Sequence, residues 1–339
     1  MTFLYILLSI IIVLVILELA MLFFVRHPNV LRKLWRRLQN SMGYLYVQGE
    51  RKIMHFNESA GQYHPELSYT FKPGKFIFTE REFSNIYFIN SLGVRDTEEA
   101  LTAPEIVIVG DSFALGWGVD QEKTFGKLLE QRTGLKVLNT SVPSYGTVRE
   151  MIMLGKVDRT NLKCLIIQYC GDDYDENLKF YLNGNKPQTM REETFHKLTD
   201  IHSRPKKYYF GKYIIMKIQK RINEMRSANN AQENKTALDE VDLFLHVLKQ
   251  NEKILSSAPI IVLDLGGKNR TNYFIDSLKQ KSADADNPRF IRELAVLKVM
   301  DYLKAEDFYV LDDHLNDHGH IVVADLLYKT LKDKRIIRS

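Results

Sequence analysis

The sequence has few cysteines and, beyond its first 52 residues, no net charge, and each shortage excludes a class of protein. Its two cysteines, Cys164 and Cys170, lie in one apolar run and provide no disulfide framework. The formal net charge of +5 arises entirely within residues 1–52, so residues 53–339 are net neutral. A basic nucleic-acid-binding domain is therefore disfavoured. The sequence also has no internal repeat or low-complexity tract, and its 45% hydrophobic content is that of a globular protein.

A long hydrophobic segment opens the chain. Residues 3–25 form a run of 23 residues in which only Ser9 and Glu18 are strongly polar. As a helix the run extends roughly 34 Å, enough to cross a hydrocarbon core of about 30 Å and too long for an ordinary core helix. No Lys or Arg precedes the run and no A-x-A motif follows it, unlike a cleaved signal peptide. We therefore predict a single-pass transmembrane anchor over residues 1–26, with Glu18 towards one end, either protonated or reaching for the interface.

A basic juxtamembrane segment, residues 27–52, follows the predicted anchor and is called the basic collar. Five cations lie between Arg26 and Arg37, and the positive-inside rule assigns such a flank to the cytoplasm. Residues 31–38 interleave Arg and Lys with Leu and Trp, which also suits an interfacial helix on anionic lipid. We predict membrane lipid as the partner of residues 3–25 and of the basic collar.

Much of the remaining chain alternates short apolar runs with helical patterns, which predicts a parallel sheet. Nearly all-apolar runs of this length are typical of strands buried on both faces. The predicted strands are residues 105–109, 136–139, 164–170, 259–265 and 308–311. The predicted helices lie near residues 124–132, 148–157, 238–256 and 317–331. The expected fold class is α/β, with a doubly wound, five-stranded parallel sheet that binds ligands outside the carboxyl ends of its strands.

Two segments do not follow this rhythm. Residues 53–103 are mixed polar and aromatic, with β-like pieces at 75–78 and 86–89, and we predict an N-terminal extension that packs on the core. The main domain is predicted to span residues 104–335, with an insertion at about 185–235. The insertion carries a basic, aromatic patch and then a helix rich in Arg and Lys. A solvated helix is the simplest interpretation, and a lid, a substrate rim or a membrane-facing surface are the alternatives.

Two loops carry residues suited to nucleophilic catalysis. Ser112 follows Gly110 and Asp111 at the end of the first predicted strand of the parallel sheet, where a nucleophile stands exposed at the rim of that sheet. Gly110 permits a tight turn beside it. The last predicted strand leads into Asp312 and His314, so one loop can supply a base and the carboxylate that holds its ring. Both loops are expected at the same rim of the sheet.

Five blocks of the sequence form a specific combination. They are NSLGVR at 90–95, IVIVGDSF at 106–113, GWGV at 116–119, NTSVPSYG at 139–146 and D-x-H-x-N-x-x-G-H at 312–320. Together they resemble the SGNH/GDSL hydrolase superfamily, and more narrowly its membrane-anchored members from bacterial envelope and polysaccharide loci. The resemblance covers about residues 65–180 and 300–331. It implies a flavodoxin-like, three-layer α/β/α fold and ester hydrolysis or acyl transfer without a cofactor.

The resemblance also implies roles for individual residues. Ser112 corresponds to the nucleophile, His314 to the base and Asp312 to the residue that orients the base. The family leans towards an extracytoplasmic (periplasmic) domain at the cell membrane. We favour that side, although the basic collar argues for the other and large domains can translocate despite flanking charge.

The oxyanion hole is where the sequence departs from the family. The family uses the backbone N–H of the nucleophile (here Ser112), a backbone N–H from a glycine, and an asparagine amide. Here Ser144 occupies the glycine position and Asp172 the asparagine position. An ionised Asp172 has no donor, and the loss of one such donor costs about 10²–10³-fold in rate. Protonation of Asp172, replacement by Asn177, and weak or lost activity are the alternatives that stay open.

The histidines allow a competing metal site. His314 and His318 are four residues apart, and histidines at i and i+4 of one helix can bind zinc. The predicted helix begins after His314 and no H-E-x-x-H motif is present, so we expect no metal. We expect His318 and His320 to have surface or packing roles. Asp111 and Asp173 are expected to fix loops through backbone hydrogen bonds.

The expected function is that of a membrane-anchored serine esterase or O-acyltransferase. Its expected partner is an acyl ester, such as the O-acetyl groups of a cell-surface glycan. We expect no cofactor and no nucleic-acid partner. The alternative is a catalytically weak or inactive SGNH-like module that binds glycan or acts as a scaffold in envelope assembly.

Overall fold

The computed structural model describes residues 2–230 and 238–337, so residues 231–235 of the predicted insertion lie outside the described part. The chain opens with a helix of 25 residues, Thr2–Arg26, most of whose side chains are exposed. By length and composition this helix can cross a membrane, a criterion that an N-terminal signal sequence also meets.

The described strands form two hairpins and one parallel sheet. The strands are β1 Gly61–His64, β2 Ser68–Phe71, β3 Gly74–Thr79, β4 Ser84–Ile89, β5 Ile106–Val109, β6 Val137–Asn139, β7 Cys164–Tyr169, β8 Ile260–Asp264 and β9 Ala295–Leu297. The helices are α1 Thr2–Arg26, α2 Pro28–Leu31, α3 Arg36–Gly49, α4 Ser112–Leu115, α5 Phe125–Thr133, α6 Thr147–Gly155, α7 Asp173–Leu182, α8 Glu192–Ser203, α9 Lys212–Asn230, α10 Glu240–Gln250, α11 Glu252–Leu255, α12 Tyr273–Ser282, α13 Arg289–Arg292 and α14 Asp317–Asp333. The parallel sheet has the order β6-β5-β7-β8-β9, which is the 2-1-3-4-5 order of flavodoxin-like folds.

Apolar side chains alternate between the two faces of the sheet. Along β5, Val107 and Val109 join one core, and Ile106 and Ile108 join the other. Helices α6, α10 and α12 cover the first face, whereas α5 and α14 cover the second. The predicted three-layer α/β/α architecture is therefore confirmed, and the carboxyl ends of the five parallel strands meet at one rim.

The fifth strand is not the predicted one. The edge strand is β9, which pairs with β8, whereas residues 308–311 form a loop with one isolated bridge from Phe308 to Leu315. The backbone N–H groups of residues 310–312 donate to the carboxylate of Glu82 at 2.7–3.0 Å. Because a side chain already satisfies these donors, the apolar run has no need of a neighbouring strand.

The hairpins before the sheet pack onto its core. β3 and β4 contain the two predicted β-like pieces and pair antiparallel. Phe78 of β3 is buried and meets Trp117 edge to face, with 5.0 Å between ring centroids. These contacts bring the hairpin next to the turn that carries Ser112. The boundaries of the predicted domains stay a prediction.

The basic collar folds back onto the main domain. Helix α2 ends at Leu31 and α3 begins at Arg36, with a turn between them. The suggestion that residues 31–38 form one interfacial helix is therefore wrong. Helix α3 packs on Leu311 through Leu45 and Tyr46. A Cβ atom on Gly43 would lie 2.9 Å from the carbonyl oxygen of Leu311, so a larger residue there would push α3 away.

Glu18 lies towards the carboxyl end of α1, as predicted, and is fully buried where α9 packs on α1. Its carboxylate accepts the backbone N–H groups of Tyr213 at 3.2 Å and Ile214 at 3.0 Å, in the first turn of α9. It also accepts the hydroxyl of Tyr208 at 3.0 Å. The three donors offset the cost of burying this carboxylate, and all three lie in the predicted insertion.

Candidate active site

Ser112 begins α4, a one-turn helix directly after β5. Asp111 caps this helix and accepts a backbone N–H two residues further on at 2.8 Å, as predicted. The Oε1 atom of Gln168, on β7, accepts the N–H groups of Asp111 at 3.1 Å and Ala114 at 3.2 Å. A Cβ atom on Gly110 would lie 2.6 Å from that Oε1, so glycine is needed here for close approach. These contacts hold the half-buried Ser112 at the rim of the sheet.

Ser112, His314 and Asp312 lie in one hydrogen-bonded chain. His314 Nε2 lies 2.7 Å from Ser112 Oγ, and His314 Nδ1 lies 2.5 Å from Asp312 Oδ1. Asp312 Oδ1 also accepts the backbone N–H of His314 at 3.2 Å. These contacts assign the proton to Nδ1 and leave Nε2 to accept from the serine hydroxyl. The arrangement is suited to transfer of the serine proton to the imidazole.

Several side chains that the sequence analysis did not identify support Asp312 and its loop. The indole N–H of Trp117 donates to Asp312 Oδ2 at 3.2 Å, and a guanidinium nitrogen of Arg51 lies 3.6 Å from Oδ1. Glu82 accepts three backbone N–H groups of the loop, and Lys268 Nζ donates to one of its carbonyls at 2.7 Å. Trp117 stands in a recognised block, but no local pattern marks Arg51 or Glu82, whose partners in this loop lie 228 residues or more away.

The surroundings of Asp312 keep it ionised although it is fully buried. Burial acts to raise the pKa of this carboxyl, but attraction to His314 and Arg51 outweighs burial and holds the pKa well below its usual range. The imidazole of His314 packs between the rings of Trp117 and Phe113, at centroid distances of 5.1 and 4.6 Å. An ionised carboxylate is thus paired with an imidazole whose ring is held in place by aromatic side chains.

The backbone donors of the predicted oxyanion hole are available. Within residues 2–230 and 238–337, neither the N–H of Ser112 nor that of Ser144 donates to another protein atom. Asp172 is exposed immediately before α7, and its side chain makes no capping hydrogen bond. Asn177 is buried in α7, where its amide donates to Thr147 at 3.2 Å, so it does not take the place of the missing asparagine.

Ser144 has a left-handed backbone, with a φ of 60°, which a glycine adopts more readily. We therefore expect Ser144→Gly to be more stable than Ser144→Val by about 1–2 kcal/mol, because a β-branched residue is strained in this region. Urea unfolding of the two variants measures the difference. Equal stabilities would show that residue 144 can leave the left-handed region at no cost.

A cavity of about 550 Å³ opens beside Ser144 and Asp172. Its lining residues include Tyr145, Arg149 and Glu176. Arg149 Nε donates to Glu176 at 2.7 Å, and another guanidinium nitrogen donates to the carbonyl oxygen of Ser144. The size and the fixed polar groups of this cavity suit a small polar ligand next to the oxyanion positions.

His318 and His320 have structural contacts. His318 Nδ1 lies 2.5 Å from a carboxylate oxygen of Asp307. His320 is buried and its Nδ1 accepts the backbone N–H of Phe125 at 3.1 Å, while burial lowers its pKa to about 3. His318 is thus paired away from His314, and the surface and packing roles predicted for His318 and His320 are confirmed.

One group of described residues has the ligand spacing of a metal site, and it lies within the hydrogen-bonded chain. Asp312, Asp313 and His314 bring one ligand atom each within 4.8 Å of the others. A guanidinium nitrogen of Arg51 already lies 3.4 Å from Asp313 and 3.6 Å from Asp312. A cation of the protein itself therefore occupies the position beside these carboxylates, and the donor set suits an ion pair better than a metal.

The two aspartates flanking the site differ in their contacts. Asp111 bonds a backbone N–H, as predicted, but Asp173 accepts the hydroxyl of Thr147 at 2.9 Å. The prediction of a backbone contact for Asp173 is therefore wrong. Burial raises the pKa of both carboxyls, that of Asp111 to about 6.

No protein-family model matches the sequence, and no curated protein matches it significantly. One solved structure of similar fold is a lipolytic protein assigned to the G-D-S-L family, from Desulfitobacterium hafniense DCB-2. It has 13% identity and a TM-score of 0.37, and the match covers 67% of this chain and 98% of the other. The family 3 carbohydrate esterase of Clostridium thermocellum has 13% identity and a TM-score of 0.37, with coverages of 68% and 96%. A salicylyl-acyltransferase from a tetracycline biosynthetic pathway has 10% identity and a TM-score of 0.39, with coverages of 72% and 58%.

With identities of 10–13% and TM-scores of 0.37–0.39, these likenesses carry no argument about the activity or the family of this chain.

Proposed function

We propose that this chain is a membrane-anchored serine hydrolase of the SGNH/GDSL type, which acts on acyl esters as an esterase or O-acyltransferase. The observation that carries the proposal is the position of His314, 2.7 Å from Ser112 Oγ and 2.5 Å from Asp312 Oδ1. A serine that is hydrogen-bonded to an imidazole, itself oriented by a buried carboxylate, is an activated nucleophile.

In the proposed reaction, Ser112 Oγ attacks the ester carbonyl carbon while His314 Nε2 takes the hydroxyl proton. Asp312 holds the imidazolium that forms and stays ionised. When the tetrahedral intermediate collapses, the bond to the alcohol oxygen breaks and His314 returns the proton to that oxygen. Water or a sugar hydroxyl then attacks the acyl carbon while His314 Nε2 takes its proton, the bond to Ser112 Oγ breaks, and His314 returns the proton to that oxygen. Attack by water is hydrolysis, and attack by a sugar hydroxyl is transfer.

The developing oxyanion is assigned to the backbone N–H groups of Ser112 and Ser144. Backbone donors fixed in this way stabilise charge that forms only in the transition state. Asp172 stands at the third position of the hole and, when ionised, opposes that charge.

We expect Asp172→Asn to raise kcat on an aryl acetate by about 10²–10³-fold, because an amide restores the missing donor. Turnover at neutral pH measures the effect, and Asp286→Asn, an exposed aspartate outside the cavity lining, is the control. A loss of activity in Asp172→Asn would contradict the expectation and show that the carboxyl itself takes part in the reaction.

Asp172 also favours a second candidate function. With an ionised carboxylate in the oxyanion hole, the chain would bind an acylated glycan without turning it over efficiently. Retained physiological function of Ser112→Ala in cells would support this binding role over catalysis.

The proposed substrate is an acyl ester on a polar, hydroxyl-rich carrier, such as an O-acetylated cell-surface glycan. The 550 Å³ cavity beside Ser144 and Asp172 supports this class, because Arg149 and Glu176 line it and hold each other in place by a hydrogen bond of 2.7 Å. Such polar groups can hydrogen-bond sugar hydroxyls.

A fluorophosphonate probe tests the proposal without knowledge of the substrate. We expect covalent labelling of Ser112 in the full-length, membrane-embedded chain, because such probes trap activated serines. Absence of labelling in the wild type, with the chain folded, would refute the nucleophile assignment.

We also propose that α1 anchors the chain in the cell membrane with the main domain outside the cytoplasm. A reporter fused at the C-terminus tests this orientation.

A further inference from the structure

Helix α9 carries an apolar stripe that the other described parts of the chain leave about half exposed. Ile215, Ile218, Ile222 and Met225 are each between 42% and 57% exposed. Their spacing of three and four residues places them on one face of the helix. An exposed row of this kind marks a surface that has a partner.

Helix α9 is joined to α1 by polar contacts at its first turn. The buried carboxylate of Glu18 accepts the N–H groups of Tyr213 and Ile214, so it satisfies donors that a helix start leaves without partners. Tyr213 is itself fully buried beside Val25 of α1. Lys212 Nζ donates to the carbonyl oxygen of Gly49, at the end of α3, at 2.9 Å. The part of α1 from Glu18 onwards is therefore packed against the folded domain.

This attachment leaves only part of α1 free of the domain. Residues 3–17 extend about 22 Å as a helix, which is less than the hydrocarbon core of about 30 Å. The apolar surface nevertheless continues past Glu18, since Leu19 and Phe23 remain 52% and 46% exposed. The stripe of α9 begins at Ile215, directly after Ile214, whose N–H Glu18 accepts, so both helices present apolar surface beside this part of α1.

We propose that α9 lies in the interfacial layer of the bilayer that α1 crosses, with its apolar stripe in contact with lipid. The inference rests on the anchoring function proposed for α1. The charges nearby suit anionic headgroups, because cationic side chains flank both the stripe and the exit of α1 and Trp35 is 86% exposed. The exposed cations are Arg32, Lys33, Arg36, Arg37, Arg221 and Arg226.

Single introduced cysteines carrying an environment-sensitive NBD label test the proposal in the full-length chain. Cys164 and Cys170 are buried and burial raises the pKa of both thiols, so the label goes to the introduced position. The reconstituted membrane is a vesicle of phosphatidylethanolamine and phosphatidylglycerol, with doxyl-labelled lipid as the quencher.

Five positions are compared. Ile218→Cys and Ile222→Cys report on the stripe, and Ile11→Cys reports on the free part of α1. Glu224→Cys is a control on another face of α9, and Ile321→Cys is a matched exposed isoleucine on α14. We expect a blue shift and loss of fluorescence to the lipid quencher at 218, 222 and 11, and neither change at 224 and 321.

The remaining outcomes separate the proposal from the anchoring function on which it rests. If 11 is quenched but 218 and 222 behave like 321, α1 inserts as proposed and the interfacial position of α9 is overturned. If 11 is not quenched either, the anchoring function has failed and the inference falls with it. If the labelled 218 position is not quenched by lipid and unlabelled Ile218→Cys forms a disulfide between two copies on addition of an oxidant, the proposal is overturned in favour of a protein partner.

Discussion

Ser112→Ala is expected to reduce turnover of a short-chain aryl ester by about 10⁶-fold, the scale on which removal of a serine nucleophile acts. The expectation follows from the position of Ser112 Oγ, 2.7 Å from His314 Nε2, with no second hydroxyl in hydrogen bond to that nitrogen among the described residues. Without Oγ no acyl-enzyme forms, and only the oxyanion donors and substrate binding remain. The measurement is kcat on the purified chain, together with covalent labelling by the fluorophosphonate probe.

Ser91→Ala is the matched control for this change. Ser91 is exposed in the turn after β4 and its hydroxyl bonds Glu98, away from His314. It should keep the wild-type rate and the wild-type labelling. Activity of Ser112→Ala equal to that of the wild type would refute the proposed mechanism, because every step passes through the serine oxygen.

Asp312→Asn is expected to lower kcat by about 10⁴-fold while leaving the fold intact. Asp312 accepts the N–H of His314 on one oxygen and the indole N–H of Trp117 on the other. An asparagine has only one acceptor oxygen, so its NH₂ group must face one of the two donors. When it faces His314, the ring takes the tautomer with its proton on Nε2, and that nitrogen no longer accepts from Ser112.

Asp313→Asn is the adjacent control, with the same chemical change. Its side chain is 51% exposed and pairs with Arg51 at 3.4 Å. Such a half-exposed ion pair contributes about 1 kcal/mol or less, so kcat should change by only a few fold. Equal losses in Asp312→Asn and Asp313→Asn would show that the loop as a whole, and not the carboxylate at 312, determines the rate.

The predicted strands at 105–109, 136–139 and 164–170 are found because each is a short apolar run buried on both faces, a local property that the sequence displays. Residues 308–311 have the same apolar character, yet Glu82 accepts their backbone donors and the three-residue β9 is the edge strand instead. A run of apolar residues indicates that a segment is buried. It does not reveal which acceptors bond the backbone N–H groups of that segment.

The site residues also differ in whether a local pattern in the sequence marks them. Ser112, Asp312 and His314 could be predicted because each stands in a block with a recognisable spacing. Arg51 and Glu82 could not be, since a single charged residue in an extension has no pattern and its partner is far away in sequence. Glu18 is a similar case, because its environment is set by donors on α9.

The sequence by itself determined the α/β class, the strand-end position of Ser112 and the loop that carries Asp312 and His314, because apolar periodicity and motif spacing are local. Only the tertiary structure decided that a 2.7 Å contact joins the serine to the imidazole, that Glu82 and Arg51 hold the Asp312 loop, and that Glu18 joins α1 to α9. These are hydrogen bonds and ion pairs between segments about 200 residues or more apart. Chain folding creates such contacts, and no neighbouring residues encode them.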